Sequence, residues 1–259
     1  MPWVFPSRGR QKLCQQVLDA CKETGMSTPG YLFIDARVDP YDGLRVPDNW
    51  KVIRLDHEHH IWDCFDLVYQ LEPNAEWYGF MTDDIRPKTQ GWDKILIHYA
   101  RPFYLVDCND EWLANDPTIA LYSLCGNVFV WGGDLIRAVG WWRVPGIHSG
   151  VGQDDAWVHL LCKVVPDLHL RRLVKTVVVE HLQYKNKKRE FDEADSHTRD
   201  GVDYYERDWK LFYAWRDNQE EINKIAVRIR AMVEDHQRHM AESYFAADSK
   251  LNILRLQGI

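Results

Sequence analysis

The chain has 259 residues, 46% of them apolar, and its 39 acidic and 32 basic side chains leave a formal net charge of −7. Such a composition excludes a disordered chain, and the acidic balance excludes wholesale wrapping of nucleic acid while leaving room for a local basic face. No apolar run is long enough to span a bilayer and no charged-then-apolar leader opens the sequence, so a soluble, cytoplasmic protein is expected.

The six cysteines lie scattered with no CxxC pair, which argues against a zinc ribbon or a disulfide framework and for reduced core residues. The length suits one α/β domain with a smaller helical appendage, here expected as residues 1–200 and 201–259.

Residues 3–6 read as a short buried strand. Ser7, Arg8, Gly9 and Arg10 follow, and Leu13, Val17, Leu18 and Cys21 then recur at helical spacing from near Gln11. A strand, a basic Gly-containing turn and a helix N-terminus together offer backbone N–H groups and fixed charge to an anion such as phosphate. A solvated turn with two arginines is the plain alternative. Residues 31–34 make a second strand ending in Asp35, an acid placed to hydrogen-bond a ribose or base. A third strand at 52–55 leads into Asp56-His57-Glu58-His59-His60 and a helix through Trp62, Phe65, Val68, Tyr69 and Leu71. That histidine cluster lacks HExxH spacing, and consecutive residues cannot all face one ion, so zinc is not expected there.

Residues 77–93 organise the chain. Trp77, Tyr78, Phe80 and Met81 are strand-forming, and Gly79 leaves room for close backbone approach. Thr82, Asp83 and Asp84 follow, and Pro87 bars an interior strand, so the acids fall at the carboxyl end where open α/β sheets bind ligands. Two ionised carboxylates side by side repel, and hard oxygen donors suit Mg²⁺ or Mn²⁺ bridging to phosphate. The alternative is an acidic turn after an edge strand.

Further on, the pattern predicts a helix at 92–99, strands at 103–107, 119–124 and 127–131, and an acidic loop at 107–116. Gly132-Gly133 opens a helix that Gly140 closes. A glycine-rich approach at 146–157 enters a helix whose first turn carries Asp154 and Asp155. These acids either complement the helix dipole or present a general base to a bound hydroxyl. A strand at 174–179 ends in Glu180-His181, where the histidine is a candidate further metal ligand. From residue 203 the chain reads as helical, with Ile222, Ile225, Ile229, Met232 and Val233 forming one stripe. The alternation of strands and helices predicts an α/β fold with a mostly parallel central sheet, flanking helices and a C-terminal helical extension.

The order of these pieces over residues 2–200 resembles a nucleotide-sugar glycosyltransferase of the GT-A (Rossmann-like) fold, and especially its small phage-encoded members. The resemblance implies that Ser7, Arg8 and Arg10 meet the nucleotide and that Asp35 contacts its base or ribose. It matches the DxD-type metal motif to Thr82-Asp83-Asp84, so that metal ligation rests on Asp84, with Asp83 toward the ribose and Thr82 in place of the first acid. It matches the acceptor-activating acid to Asp154 or Asp155, Asp154 being the first choice, and it matches the metal-completing histidine to His181. Phage relatives often read EHxHP there, whereas this chain reads EHLQY.

The resemblance implies a Mn²⁺- or Mg²⁺-dependent enzyme moving a sugar from a UDP-sugar or similar donor to an acceptor hydroxyl. For a phage-encoded protein the host cytoplasm is the expected location. The favoured acceptor is a 5-hydroxymethylated pyrimidine in phage DNA, reached through a cationic track of Arg171, Arg172, Lys175, Lys185, Lys187, Lys188, Arg189, Lys224, Arg228 and Arg230. Alternatives are a protein or glycan acceptor, a non-catalytic nucleotide- or glycan-binding module, and a nucleotidyltransferase.

Overall fold

The computed structural model describes residues 2–38, 41–56, 60–111, 128–147, 153–182, 190 and 202–256, with backbone alone at 153–154, 202–205 and 244–256. Its strands are β1 (Trp3–Ser7), β2 (Gly30–Asp35), β3 (Trp50–Leu55), β4 (Trp77–Phe80), β5 (Ile85–Pro87), β6 (Leu105–Asp110), β7 (Phe129–Gly132) and β8 (Arg171–His181). The helices are α1 (Gln11–Glu23), α2 (Ile61–Leu71), α3 (Trp92–Ala100), α4 (Gly133–Val139), α5 (Gln153–His159), α6 (Val202–Asp217) and α7 (Gln219–Leu256).

One sheet holds the strands in the order β3-β2-β1-β4-β7-β6-β8-β5. The chain builds outward from β1 through β2 to β3, all parallel, then returns to lay β4 on the other side of β1. Strand order reverses between β1 and β4, and in an open α/β sheet the crevice beyond the carboxyl ends at such a point is where ligands bind. Val4 pairs with Phe80, so Ser7, three residues on, comes level with Asp83. The parallel run then gives way: β7 is antiparallel to both β4 and β6, β8 is parallel to β6, and β5 is antiparallel to β8. The sheet is therefore more mixed than strand and helix alternation alone predicts.

Two apolar layers cover the sheet. On one face α1 lays down Cys14, Val17, Leu18 and Cys21, spaced as one side of a helix, against Trp3, Trp77 and Trp92. The other face is aromatic, with Phe65, Tyr78, Trp131, Trp142 and Trp157 in one cluster that Phe212, Trp215, Ile222, Ile225, Ile229 and Val233 of α6 and α7 complete. At Gly79 the close neighbour is a side chain and not the backbone the sequence suggested: a Cβ there would lie 2.4 Å from the Trp3 ring, so this position must stay bare. Cys14, Cys21, Cys64 and Cys108 are free and buried, as the scattered spacing implied.

Several boundaries differ from the sequence reading. Pro87 does not end strand structure but closes β5, a three-residue strand at the sheet's edge, where its missing N–H costs no ladder bond. The expected strand at 103–107 runs instead from Leu105 to Asp110, and β8 begins at Arg171, three residues before its apolar run. The expected strand at 119–124 lies outside the described residues. Among the described residues no helix is long and apolar enough to cross a membrane.

Candidate active site

The carboxyl ends of β1, β4, β6 and β8 bring four short segments to one place. Ser7 ends β1, and its hydroxyl donates to Asp83 Oδ2 at 2.6 Å. Since that hydroxyl has one hydrogen, the 2.7 Å contact between Ser7 Oγ and the Tyr41 hydroxyl has tyrosine as donor. The Tyr41 oxygen in turn accepts the Arg10 backbone N–H at 3.0 Å, which pins the start of α1 to the turn. Arg10 places Nη1 3.4 Å from Asp83 Oδ1 and 3.9 Å from Asp84 Oδ2. The guanidinium thus supplies positive charge to both neighbouring acids.

The two carboxyls are not equivalent. Burial, reinforced by the adjacent Asp84 charge and only partly offset by Arg10 and Ser7, pushes Asp83 up to about 6. Asp84 is only partly buried, and the His181 hydrogen bond and charge, the Thr82 hydroxyl and Arg10 outweigh its desolvation and hold it below the usual carboxylate range. Thr82, in the place of a first acid, therefore serves Asp84 as a hydrogen-bond donor, at 2.5 Å.

His181 reaches this cluster through the edge pair of the sheet. It pairs with Ile85 of β5, and the following residue, Leu182, donates its N–H to the Asp84 carbonyl at 2.7 Å. The imidazole stands between two acids, with Nε2 3.4 Å from Asp84 Oδ2 and Nδ1 3.4 Å from Asp110 Oδ2. Burial by itself would lower the histidine, yet the hydrogen bonds and charges of Asp110 and Asp84 lift it above its ordinary value.

Asp84 and His181 form a mixed carboxylate and imidazole donor pair close enough to reach one divalent ion, and both belong to the ligand types that Mn²⁺ accepts. Among the described residues no group of three His, Cys, Asp or Glu side chains is arranged to hold an ion. A metal shell built on this pair would take its remaining ligands from a phosphate-bearing ligand and water, the usual habit of hard cations at phosphate sites.

Asp35 takes a different place from the one expected of a ribose contact. It is fully buried, and Arg37 grips both of its oxygens, Nε on Oδ1 at 3.0 Å and Nη2 on Oδ2 at 2.8 Å, with Arg8 Nε 3.5 Å from Oδ2. The Arg37 hydrogen bonds outweigh burial and lower its pKa. Arg8 and Arg10, two residues apart in the turn, are thus directed to different acids. On α5, Ala156 and Trp157 are buried while Asp155 is exposed, and residual desolvation at its carboxyl raises its pKa. The Asp154 side chain lies outside the described residues.

The fold has a counterpart among solved structures. Glucosyl-3-phosphoglycerate synthase from Mycobacterium tuberculosis, solved with Mn²⁺, uridine diphosphate and phosphoglyceric acid, superposes with a TM-score of 0.52 at 12% identity, over 78% of this chain and 76% of that one. The chain has the GT-A fold. S. aureus TarS aligns with 80% of this chain at 9% identity and a TM-score of 0.46, and the chain spans 43% of its length. No family model and no curated protein sequence matches the chain.

In the histidine cluster His60 starts α2, its backbone N–H donating to Asp63 at 2.8 Å, while His57, Glu58 and His59 lie outside the described residues. Most described cations of the expected track are engaged within the protein. Arg171 pairs with buried Asp107, Arg172 stacks on Tyr104 at 3.6 Å, Lys224 pairs with Glu220, Arg228 caps the Ala138 and Val139 carbonyls, and Arg230 holds Asp167. Lys175 is exposed on β8, and Lys185, Lys187, Lys188 and Arg189 lie outside the described residues.

Two contributors escaped the sequence. Asp110 is a strand-end acid like Asp35 and would have been found had β6 been extended past residue 107. Tyr41 has no such signal: it is a buried loop tyrosine at φ 51°, a left-handed backbone that no local pattern announces for this residue type.

Proposed function

We propose that the chain is a metal-dependent glycosyltransferase that moves a sugar from a nucleotide-sugar donor, a UDP-sugar by preference, to an acceptor hydroxyl. One observation carries this reading: Ser7 and Arg10 after β1, Asp83 and Asp84 after β4, and His181 at the end of β8 meet at the topological switch point of a GT-A sheet. The uridine diphosphate and Mn²⁺ bound by the mycobacterial synthase support the same donor and a divalent cofactor here.

In this reading Asp84 and His181 hold the ion, which supplies charge neutralisation for the leaving diphosphate. Arg10 and the N-terminus of α1 add donors for the same phosphates. Ser7, Tyr41 and Arg8 keep that turn in shape. Asp154, or Asp155 beside it, accepts the proton of the attacking hydroxyl if transfer inverts the sugar; a retaining reaction needs no base there. Since Arg37 closes on Asp35, nucleoside contact at Asp35 requires the guanidinium to swing aside or to become part of the contact.

For the acceptor, the finer reading is a 5-hydroxymethylated pyrimidine in duplex DNA. Its support is the basic run Lys185, Lys187, Lys188 and Arg189, which follows the strand carrying His181; the internal pairing of Arg171, Arg228 and Arg230 weighs toward a protein or glycan hydroxyl. Turnover across a panel of nucleotide sugars with and without Mn²⁺, using hydroxymethylated DNA, oligosaccharides and a peptide mixture as acceptors, tests both levels. Metal-stimulated release of a nucleoside diphosphate is expected. No turnover or donor hydrolysis with any member, despite metal-dependent nucleotide binding, would instead indicate a binding module.

A further inference from the structure

The turn that follows β2 lies against the basic turn that follows β1. Ser7 pairs with Ile34, so Arg8 and Asp35 come level at the next residue, with Arg8 Nε 3.5 Å from Asp35 Oδ2. Val38 rests on the glycine of the basic turn, since a Cβ on Gly9 would lie 3.2 Å from Val38 Cγ1. Residues 35–38 are themselves pinned: the Val38 N–H donates to the Asp35 carbonyl at 3.3 Å and the Ala36 N–H to the Leu55 carbonyl of β3 at 3.0 Å. Arg37 is thereby carried on the β2 side of the crevice whose β4 side holds Asp83 and Asp84.

Arg37 binds Asp35 from both its backbone and its side chain. The backbone N–H donates to Oδ1 at 3.2 Å, Nε to Oδ1 at 3.0 Å and Nη2 to Oδ2 at 2.8 Å. The Asp35 side chain is 0% exposed, whereas that of Arg37 is 38% exposed. A ligand entering from solvent therefore meets the guanidinium, and the acid behind it has both oxygens engaged by the fork. Two-point contact with a carboxylate also fixes the plane of a guanidinium, so little side-chain freedom is left to lose when a ligand docks on it.

Resting on the nucleotide-sugar reading above, we infer that Arg37 is the residue at the end of β2 that reads the nucleobase, and that Asp35 is a positioning residue holding its guanidinium. A guanidinium only donates hydrogen bonds. It suits a base whose edge presents a carbonyl oxygen, as uracil does at C4, and opposes one that presents an amino group there, as cytosine does. An ionised carboxylate only accepts, and would instead take the ring N–H of uracil or the amino group of cytosine. Preference for UDP over CDP thus gains a cause in one exposed side chain, and the buried acid acts through it.

Calorimetric titration with UDP, CDP and inorganic pyrophosphate, each with Mn²⁺ present, tests the assignment. The wild type should bind UDP about 10-fold or more tightly than CDP. Arg37→Ala should weaken UDP binding by about 10- to 100-fold, bring UDP and CDP to within about threefold of each other, and leave pyrophosphate binding unchanged. Asp35→Asn should weaken UDP binding in the wild-type background and add nothing in the Arg37→Ala background, because its effect passes through the guanidinium. UDP affinity unchanged or raised in Arg37→Ala, or a preference for UDP that survives the substitution, overturns the inference and returns the contact to Asp35. A wild type that binds UDP and CDP alike overturns it as well. Should Arg37→Ala not fold once the buried acid loses its fork, Arg37→Lys keeps a cation there without the planar donor pair, and it should lose the preference for UDP in the same way; a retained preference counts against Arg37. Failure of the nucleotide-sugar reading shows up separately, as a wild-type protein that binds no nucleoside diphosphate.

Discussion

The Ser7 hydroxyl donates to Asp83 at 2.6 Å across 76 residues of sequence, joining the end of β1 to the end of β4. This bond, with the Tyr41 hydroxyl behind it, makes the basic turn and the acidic turn one unit. Tyr41→Phe removes a donor to Ser7 and an acceptor for the Arg10 N–H, both in buried surroundings, and should cost about 1–3 kcal/mol of stability. Donor binding should weaken while kcat at saturation changes little, because the turn is loosened and no reacting group is lost. Urea unfolding together with donor titration checks this, and a variant as stable as the wild type would mean that water replaces the hydroxyl without loss.

Asp84→Ala should reduce metal-stimulated turnover to background with the fold retained. Its backbone carbonyl, which accepts the Leu182 N–H, survives the substitution, and the packing beneath it belongs to Met81 and Ile85. His181→Ala should weaken Mn²⁺ binding by about 10- to 100-fold. Calorimetric titration with Mn²⁺ and UDP measures both; full Mn²⁺ stimulation in the Asp84 variant would remove that residue from the metal assignment.

Asp83 makes stability depend on pH in an unusual direction for an acid. Its folded pKa of about 6 lies above the ordinary carboxylate value, so the folded state binds the proton more tightly than the unfolded chain does. The contribution is complete below roughly pH 4, the unfolded value, and is lost as pH rises through about 6. Asp83→Asn keeps an oxygen for Ser7 and carries no charge. Thermal unfolding of the metal-free proteins should therefore show the wild type losing stability relative to this variant between pH 4 and pH 7. A constant difference over that range would mean that Arg10 compensates the buried charge in full.

Much of this architecture could be read from the chain before any coordinates. The first four strands and the first two helices fall where alternating apolar runs and helical spacing put them, because each buries a face whose periodicity is local. Gly79 between bulky aromatics announced close approach, and the Trp3 ring is what approaches. Gly79→Ala should accordingly destabilise the protein by about 1–3 kcal/mol, since an indole packed against backbone has little room to move. That Ser7, Asp83 and His181 each lie at or just past a strand's end was legible locally, whereas the Ser7–Asp83 bond was not. Less legible was anything set by pairing between distant strands: the reversal at β7 and the register shift of β6 on β8 between Cys108 and Asn109 depend on partners far along the chain, while the Arg37 grip on Asp35, two residues away, is a side-chain choice that local pattern does not encode. Tyr41 belongs with the distant pairings, since its partners Ser7 and Arg10 lie 34 and 31 residues away.

The two acids at the start of α5 make opposite demands on the same experiment. Trp157 and Ala156 are buried, which fixes the rotation of the helix, and consecutive residues on a helix point about 100° apart, so only one of the two acids can face a given acceptor. Asp155 is exposed, with its carboxyl raised by desolvation, which makes it a stronger proton acceptor than an ordinary aspartate. Asp154 remains the first choice on the resemblance to the family's acceptor-activating acid. Asp154→Asn preserves size and hydrogen bonding while removing the base, and it should lower kcat by about 100- to 10,000-fold with the donor dissociation constant unchanged. Asp155→Asn should then lower kcat by less than about threefold. The reverse pattern transfers the role to Asp155, and a rate barely altered in both variants, with donor affinity intact, would point to a retaining reaction in which neither acid takes the acceptor's proton.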